Sequence, residues 1–144
     1  MRGLASILSP FVMTLALLSA RDASAETKKV PGPTVDLGEV SAAPKADATA
    51  VPMLRQATEQ ELQSLDLRSA KKDAVLSISL VRLETEGQRV TCVVSATLRT
   101  KSGGTIFAIL EGRALVSGAS DSARSASVKG AVHGALGRIP EALK

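Results

Sequence analysis

Aromatic side chains are almost missing from this 144-residue chain: it has no Trp and no Tyr, and its two Phe residues are Phe11 and Phe107. Without them there are no stacking platforms for nucleic-acid bases. Cysteine and histidine are just as scarce. Cys92 is the only cysteine and His133 the only histidine, which excludes an internal disulfide, a multi-cysteine zinc site and a paired-histidine metal site. Neither a Gly-x-Ser-x-Gly elbow nor a dinucleotide fingerprint occurs, and Gly103-Gly104 is not followed by the start of a helix that could cradle a phosphate. The net charge of +4 is small and scattered, so the concentrated basic face that nucleic acid requires is absent. No cofactor is expected.

What the chain does carry is an export pattern. Arg2 opens a short positive region, an apolar run follows from Leu4 to Leu18, and Ala23-Ser24-Ala25 supplies the small residues of a cleavage site. This is the layout of a signal peptide over residues 1–25. Pro10 interrupts the apolar run, which is also shorter than the ~20 residues of a membrane-spanning helix. No cysteine adjoins the cleavage site, so lipid modification is not expected. Cleavage removes Arg2, Arg21 and Asp22, which lowers the net charge by one. The expected location is the periplasm or the extracellular medium, and the membrane is touched only through the signal peptide.

Residues 26–56 read as a disordered linker. Pro31, Pro33, Pro44 and Pro52 punctuate it, and no apolar period runs through it that could offset the entropy of ordering. A small domain is expected over residues 57–144. Thr58-Glu59-Gln60-Glu61 fits a capping box and predicts a helix to about Lys72, with Leu62 and Leu65 on its apolar side.

From residue 74 to 117 the apolar period is two. Leu76, Ile78 and Leu80 alternate with Ser77 and Ser79, then the phase slips so that Val81 and Leu83 are apolar while Arg82 and Glu84 are charged. A bulge near Leu80-Val81 keeps both halves facing one core. Glu86-Gly87-Gln88 supplies a turn. Val90, Cys92, Val94, Ala96 and Leu98 then share one face of a second strand. Ser102-Gly103-Gly104 signals a hairpin. A three-residue loop sets Leu98 opposite Ala108, Ala96 opposite Leu110, Val94 opposite Gly112 and Cys92 opposite Ala114. A two- or four-residue loop would bring Glu111 and Arg113 onto that face at a cost of several kcal/mol, so three residues are expected.

Ser120-Asp121-Ser122 offers caps for a last helix, and Val128, Val132, Leu136 and Ile139 give its apolar stripe. Gly130, Gly134 and Gly137 weaken it by roughly 1 kcal/mol each. That makes sense if some of them admit a close approach to Ala96, Ala108, Gly112 and Ala114. Pro140 should end or bend the helix. The expected fold is α+β: a three-stranded antiparallel meander packed by the C-terminal helix, with an N-terminal helix beside it or on the edge.

Val90-Thr91-Cys92-Val93-Val94-Ser95, Ile106 to Leu110 and Gly112-Arg113-Ala114, followed by an Ala/Gly-rich helix, resemble a module of uncharacterised exported bacterial envelope proteins. Over residues 70–144 the pattern is also distantly similar to the small domains of outer-membrane activators of peptidoglycan synthases. Those activators are usually lipid-anchored, and this chain lacks the cysteine for it. The resemblance implies an envelope-associated, non-catalytic module with a protein partner.

Individual side chains point the same way. Cys92 falls on the apolar face and reads as a small buried hydrophobe. His133 falls off the helical core stripe and reads as a solvated surface residue. Glu84, Glu86 and Glu111 border turns and strand ends with no aromatic platform for a sugar. The register puts Val93, Arg99, Phe107, Ile109, Glu111, Arg113 and Leu115 together on the outer sheet face. That face either packs under the N-terminal helix, with Arg99 over the Phe107 ring, or binds a partner. Two alternatives stand beside the accessory module. One is a small enzyme with a shallow site of Glu84, Glu111, Arg113 or His133, and the other is a structural subunit that assembles through strand edges.

Overall fold

The computed structural model describes residues 32–144, and the export segment lies outside the described residues. Along the chain run β1 (Val35–Ala42), α1 (Val51–Ser64), β2 (Ala74–Glu86), β3 (Arg89–Thr100), β4 (Ile106–Ser117), α2 (Asp121–Leu136) and a short α3 (Ile139–Ala142). The meander is present, with β2–β3 and β3–β4 antiparallel. It is extended by a fourth strand, because β1 pairs parallel to β2 and the sheet order is β1-β2-β3-β4. The fold is thus α+β with a mixed four-stranded sheet. Two helices lie on one face, and their buried residues join those of the inner sheet face in one cluster: Leu54 and Ala57 from α1, and Val128, Ala131, Val132, Ala135 and Leu136 from α2.

The first strand and the start of α1 correct the expected linker over residues 32–56, and its residues 26–31 lie outside the described residues. Val35, Leu37, Val40 and Ala42 lie beside Ala74, Leu76, Ile78 and Leu80, but the register shifts between Leu37 and Val40. Gly38-Glu39 therefore breaks the alternation that would mark a strand. Pro52 sits in the first turn of α1, where its missing N–H leaves nothing unsatisfied. Asp47 caps the preceding 3-10 turn by accepting the Thr49 N–H at 2.9 Å, and its other oxygen takes Arg124 of α2 at 2.6 Å. These hydrogen bonds, led by that from the Thr49 hydroxyl, hold the Asp47 carboxyl below the usual carboxylate range. Thr58 is not a cap: it is buried mid-helix, and its hydroxyl donates to the Leu54 carbonyl at 2.7 Å.

Two bulges keep the inner face apolar. At the first, Leu80 pairs with Val94 and Arg82 with Val93, leaving Val81 unpaired as the sequence predicts. The second corrects the hairpin. Thr100 and Thr105 close a four-residue loop through Thr100 N–H to Thr105 O at 2.9 Å, with Gly104 at φ +67°. A register shift at Phe107 then restores Leu98 opposite Ala108 and Val94 opposite Gly112. An even loop plus one bulged residue gives the same inner register as an odd loop, and Glu111 and Arg113 stay out of the core.

Ser120 caps α2 by accepting the Ala123 N–H at 3.2 Å. The helix ends at Leu136, before Pro140, which sits in the first turn of α3. Ile139 and Leu143 are thereby buried, and the Leu143 carbonyl accepts Lys71 N–H at 2.7 Å. The tightest contact in the fold is between α2 and β4. A Cβ built on Gly112 would overlap the Ala131 carbonyl oxygen and lie 2.7 Å from the Ala135 nitrogen. A Cβ on Gly130 would lie 3.0 Å from Ala114 Cβ, whereas one on Gly134 would meet Gly112 Cα at an ordinary 3.8 Å.

This asymmetry yields a matched pair of substitutions. Gly112→Ala should destabilise the protein by about 3 kcal/mol, because neither backbone can give way. Gly134→Ala should leave stability unchanged or raise it by up to about 1 kcal/mol through helix propensity. Urea unfolding of the two variants measures both, and equal effects would contradict the close approach at Gly112.

Candidate interaction face

An antiparallel pair places alternate residues on opposite faces, so the side of the sheet away from the helices can be read row by row. Arg82, Val93 and Arg113 form one row across β2, β3 and β4; Glu84, Thr91 and Leu115 form the next. Ser41, Ser79, Ser95 and Glu111 cross all four strands, and Ser77, Thr97 and Ile109 follow. The centre is therefore a floor of small hydroxyl side chains around Val93, which is only 6% exposed. Along the β4 side, Ile109 is 66% and Leu115 60% exposed, flanking Glu111 and Arg113. Among the described residues no element covers this face. The packing role under the N-terminal helix does not apply, because α1 lies with α2 on the other side.

Six of the seven residues that the sequence places on this face are there. Phe107 is not. The bulge turns it toward the core cluster, and Lys72 rather than Arg99 carries its charge over the ring, with Nζ 5.0 Å from the centre. Arg99 pairs with Ile106. Sequence reasoning also missed Lys45 and Arg82, which line a recess of about 190 Å³ with Val81, Leu83 and Glu84. The phase slip at Leu80-Val81 was the available signal, since a bulge re-aims its neighbours.

Of the residues of the catalytic alternative, three share the outer face and His133 stands apart from them. Glu84, Glu111 and Arg113 belong to the outer face, and Glu84 lies 3.9 Å from Arg82. His133 stands on α2 in the helix layer, exposed, with Nδ1 2.8 Å from Glu61 Oε1 of α1. Cys92 is fully buried on the inner face, and burial pushes its thiol up to about 11. Among the described residues no group of three or more His, Cys, Asp or Glu side chains could hold a metal ion, and no helix is long and apolar enough to cross a membrane.

Comparison with solved structures finds a shared fold in one of them. Protein XCC0632 from Xanthomonas campestris, of the DUF330 family, superposes with a TM-score of 0.52 at 15% identity, over 71% of this chain and 78% of that one. A candidate lipoprotein from Caulobacter crescentus matches with a TM-score of 0.44 at 16% identity, over 76% of this chain and 86% of that one. A PelC dodecamer from Paraburkholderia phytofirmans gives 0.46 at 16% identity, over 73% and 84%. No protein-family model and no curated protein matches the chain. At 15% identity the likeness to the Xanthomonas protein is one of fold.

The buried thiol gives a prediction with a definite sign. A thiol held neutral in the folded state contributes stability that is present below its unfolded value and is lost as pH rises toward about 11. Thermal unfolding between pH 8 and 11 should therefore show a decline in wild type that is shallower in Cys92→Ala. Native protein should react with a thiol reagent only at its unfolding rate, and prompt labelling at pH 8 would contradict the burial.

Proposed function

We propose that the chain is an exported, non-catalytic accessory protein of a bacterial envelope, which presents the outer face of its sheet to a protein partner. One observation carries the docking role. Both helices sit on the inner face, so the other side of a four-stranded sheet is uncovered among the described residues, with Ile109 and Leu115 exposed beside Glu111 and Arg113. Exposed apolar side chains rimmed by opposite charges are the usual composition of a partner site. Export is supported by Arg2, the apolar run Leu4 to Leu18 and Ala23-Ser24-Ala25.

A binding role needs no convergence of titratable groups, and the separation of His133 and Cys92 from the outer face supports it. The acid, base and thiol candidates are divided between an open sheet face, an exposed helix flank and the core. No cofactor is required, and the sheet acts as a stiff platform whose hydroxyl centre accepts and donates hydrogen bonds.

Site-specific photo-cross-linking in envelope fractions tests this reading. A photoreactive side chain at Thr97, on the outer face, should trap one defined protein. The same group at Lys129, on the exposed surface of α2, should trap none. Equal yields at both positions, or none at either, would refute the assignment of this face.

A further inference from the structure

Beyond docking to another protein, β4 has the sequence of a strand built to pair with itself. It is the last strand of the sheet, so among the described residues its outward N–H and C=O groups have no neighbouring strand. Natural edge strands are normally protected by brevity, charge or proline. β4 has the Phe107 bulge near one end and two charges of opposite sign, but it is twelve residues long, lacks proline and exposes Ile106, Ile109 and Leu115.

Antiparallel pairing of β4 with a second β4 about a two-fold axis keeps each face intact only if the axis passes through a residue. An axis at Glu111 would oppose Glu111 to itself, and one at Arg113 would oppose Arg113 to itself. An axis at Gly112 sets Glu111 against Arg113 of the other copy and Ile109 against its Leu115, twice each by symmetry. On the inner side the same register joins Leu110 to Ala114 and Ala108 to Val116. Each of these four pairings matches charge with opposite charge or apolar with apolar, as cross-strand pairs require.

The helix above this edge permits the approach. Gly130 sits over Ala114 and Gly134 over Gly112, so both glycines lie on the side of α2 that meets β4. The side of α2 next to β4 thus carries Ala126, Gly130 and Gly134, small residues at four-residue spacing. Such a spacing lets two helix backbones come close. We infer that a second copy of this chain occupies the β4 edge, centred on Gly112, to give a continuous eight-stranded sheet. The assembly shares the β4 side chains of the outer face with the protein partner but leaves the outer surfaces of β2 and β3, and so Thr97, open to it.

A charge-swap cycle read by sedimentation equilibrium, on the protein purified from cells that express the full chain, tests the register. Wild type should be a dimer. Glu111→Arg alone and Arg113→Glu alone should each raise the dissociation constant at least about tenfold, through like charges in both symmetric pairs. The double variant, with the charges exchanged, should recover to within about threefold of wild type. As a second measurement, Ile109→Cys and Leu115→Cys together should form a disulfide-linked dimer with oxidised glutathione, and neither substitution alone should do so. A wild-type monomer at all concentrations, unchanged single variants, or a double variant as weak as the singles would overturn the proposal.

Discussion

The backbone contact between α2 and β4 governs this fold. The Ala131 carbonyl and the Ala135 amide of α2 lie where any side chain at position 112 would have to be. A helix seated that low on a sheet replaces side-chain interdigitation with direct backbone packing at this point, and it brings Val128, Val132 and Leu136 down onto the residues of β3. Close packing of this kind tolerates almost no added volume. The small residues Ala96, Ala108, Gly112 and Ala114 follow from it. So does the sheet register, because only one alignment of β3 with β4 sets Gly112 beside Val94 within the apolar row.

Seating both helices on one face divides the sheet into unlike halves. The inner half is a continuous apolar cluster from Val40 through Leu76, Ile78, Leu80, Cys92, Val94 and Leu98 to Leu143. The outer half has a centre of Ser and Thr, with Val93 as its floor and charge and aliphatic groups along β4. Polar side-chain contacts tie the periphery together. Asp47 joins Arg124, Glu61 meets His133, and Lys101 reaches Asp36 at 2.9 Å. Each involves partly or fully exposed groups and so adds little stability. The first two join α1 and its leading turn to α2, while the buried residues of both helices hold them on the inner face.

How much of this was legible depended on whether each pattern ran unbroken. The period of two in β3 and the Val128, Val132, Leu136 stripe of α2 could be read directly. The slip at Leu80-Val81 revealed its bulge because apolar residues resume on both sides of it. β1 was hidden for the opposite reason. Gly38-Glu39 disrupts a short strand, and a parallel partner leaves no turn signal next to it. Pro52 looked like linker punctuation and is a first-turn helix residue. Phe107 was the subtler case. A four-residue loop and a bulge cancel in register, so the pairing of β3 with β4 was readable while the side on which the Phe107 ring lies was not. Of the candidate site, the outer-face rows were legible because alternation dictates them. Their exposure was not, since it depends on where α1 packs.

That one face of the sheet is sealed and the other open is the claim on which the functional reading rests. Methyl-group NMR of the full chain with a soluble paramagnetic probe measures it most directly. The Ile109 and Leu115 methyls should broaden strongly, while those of Ile78, Leu80 and Leu98 remain sharp. If Ile109 and Leu115 are shielded as well as Ile78, the outer face is covered in the intact protein and the account fails.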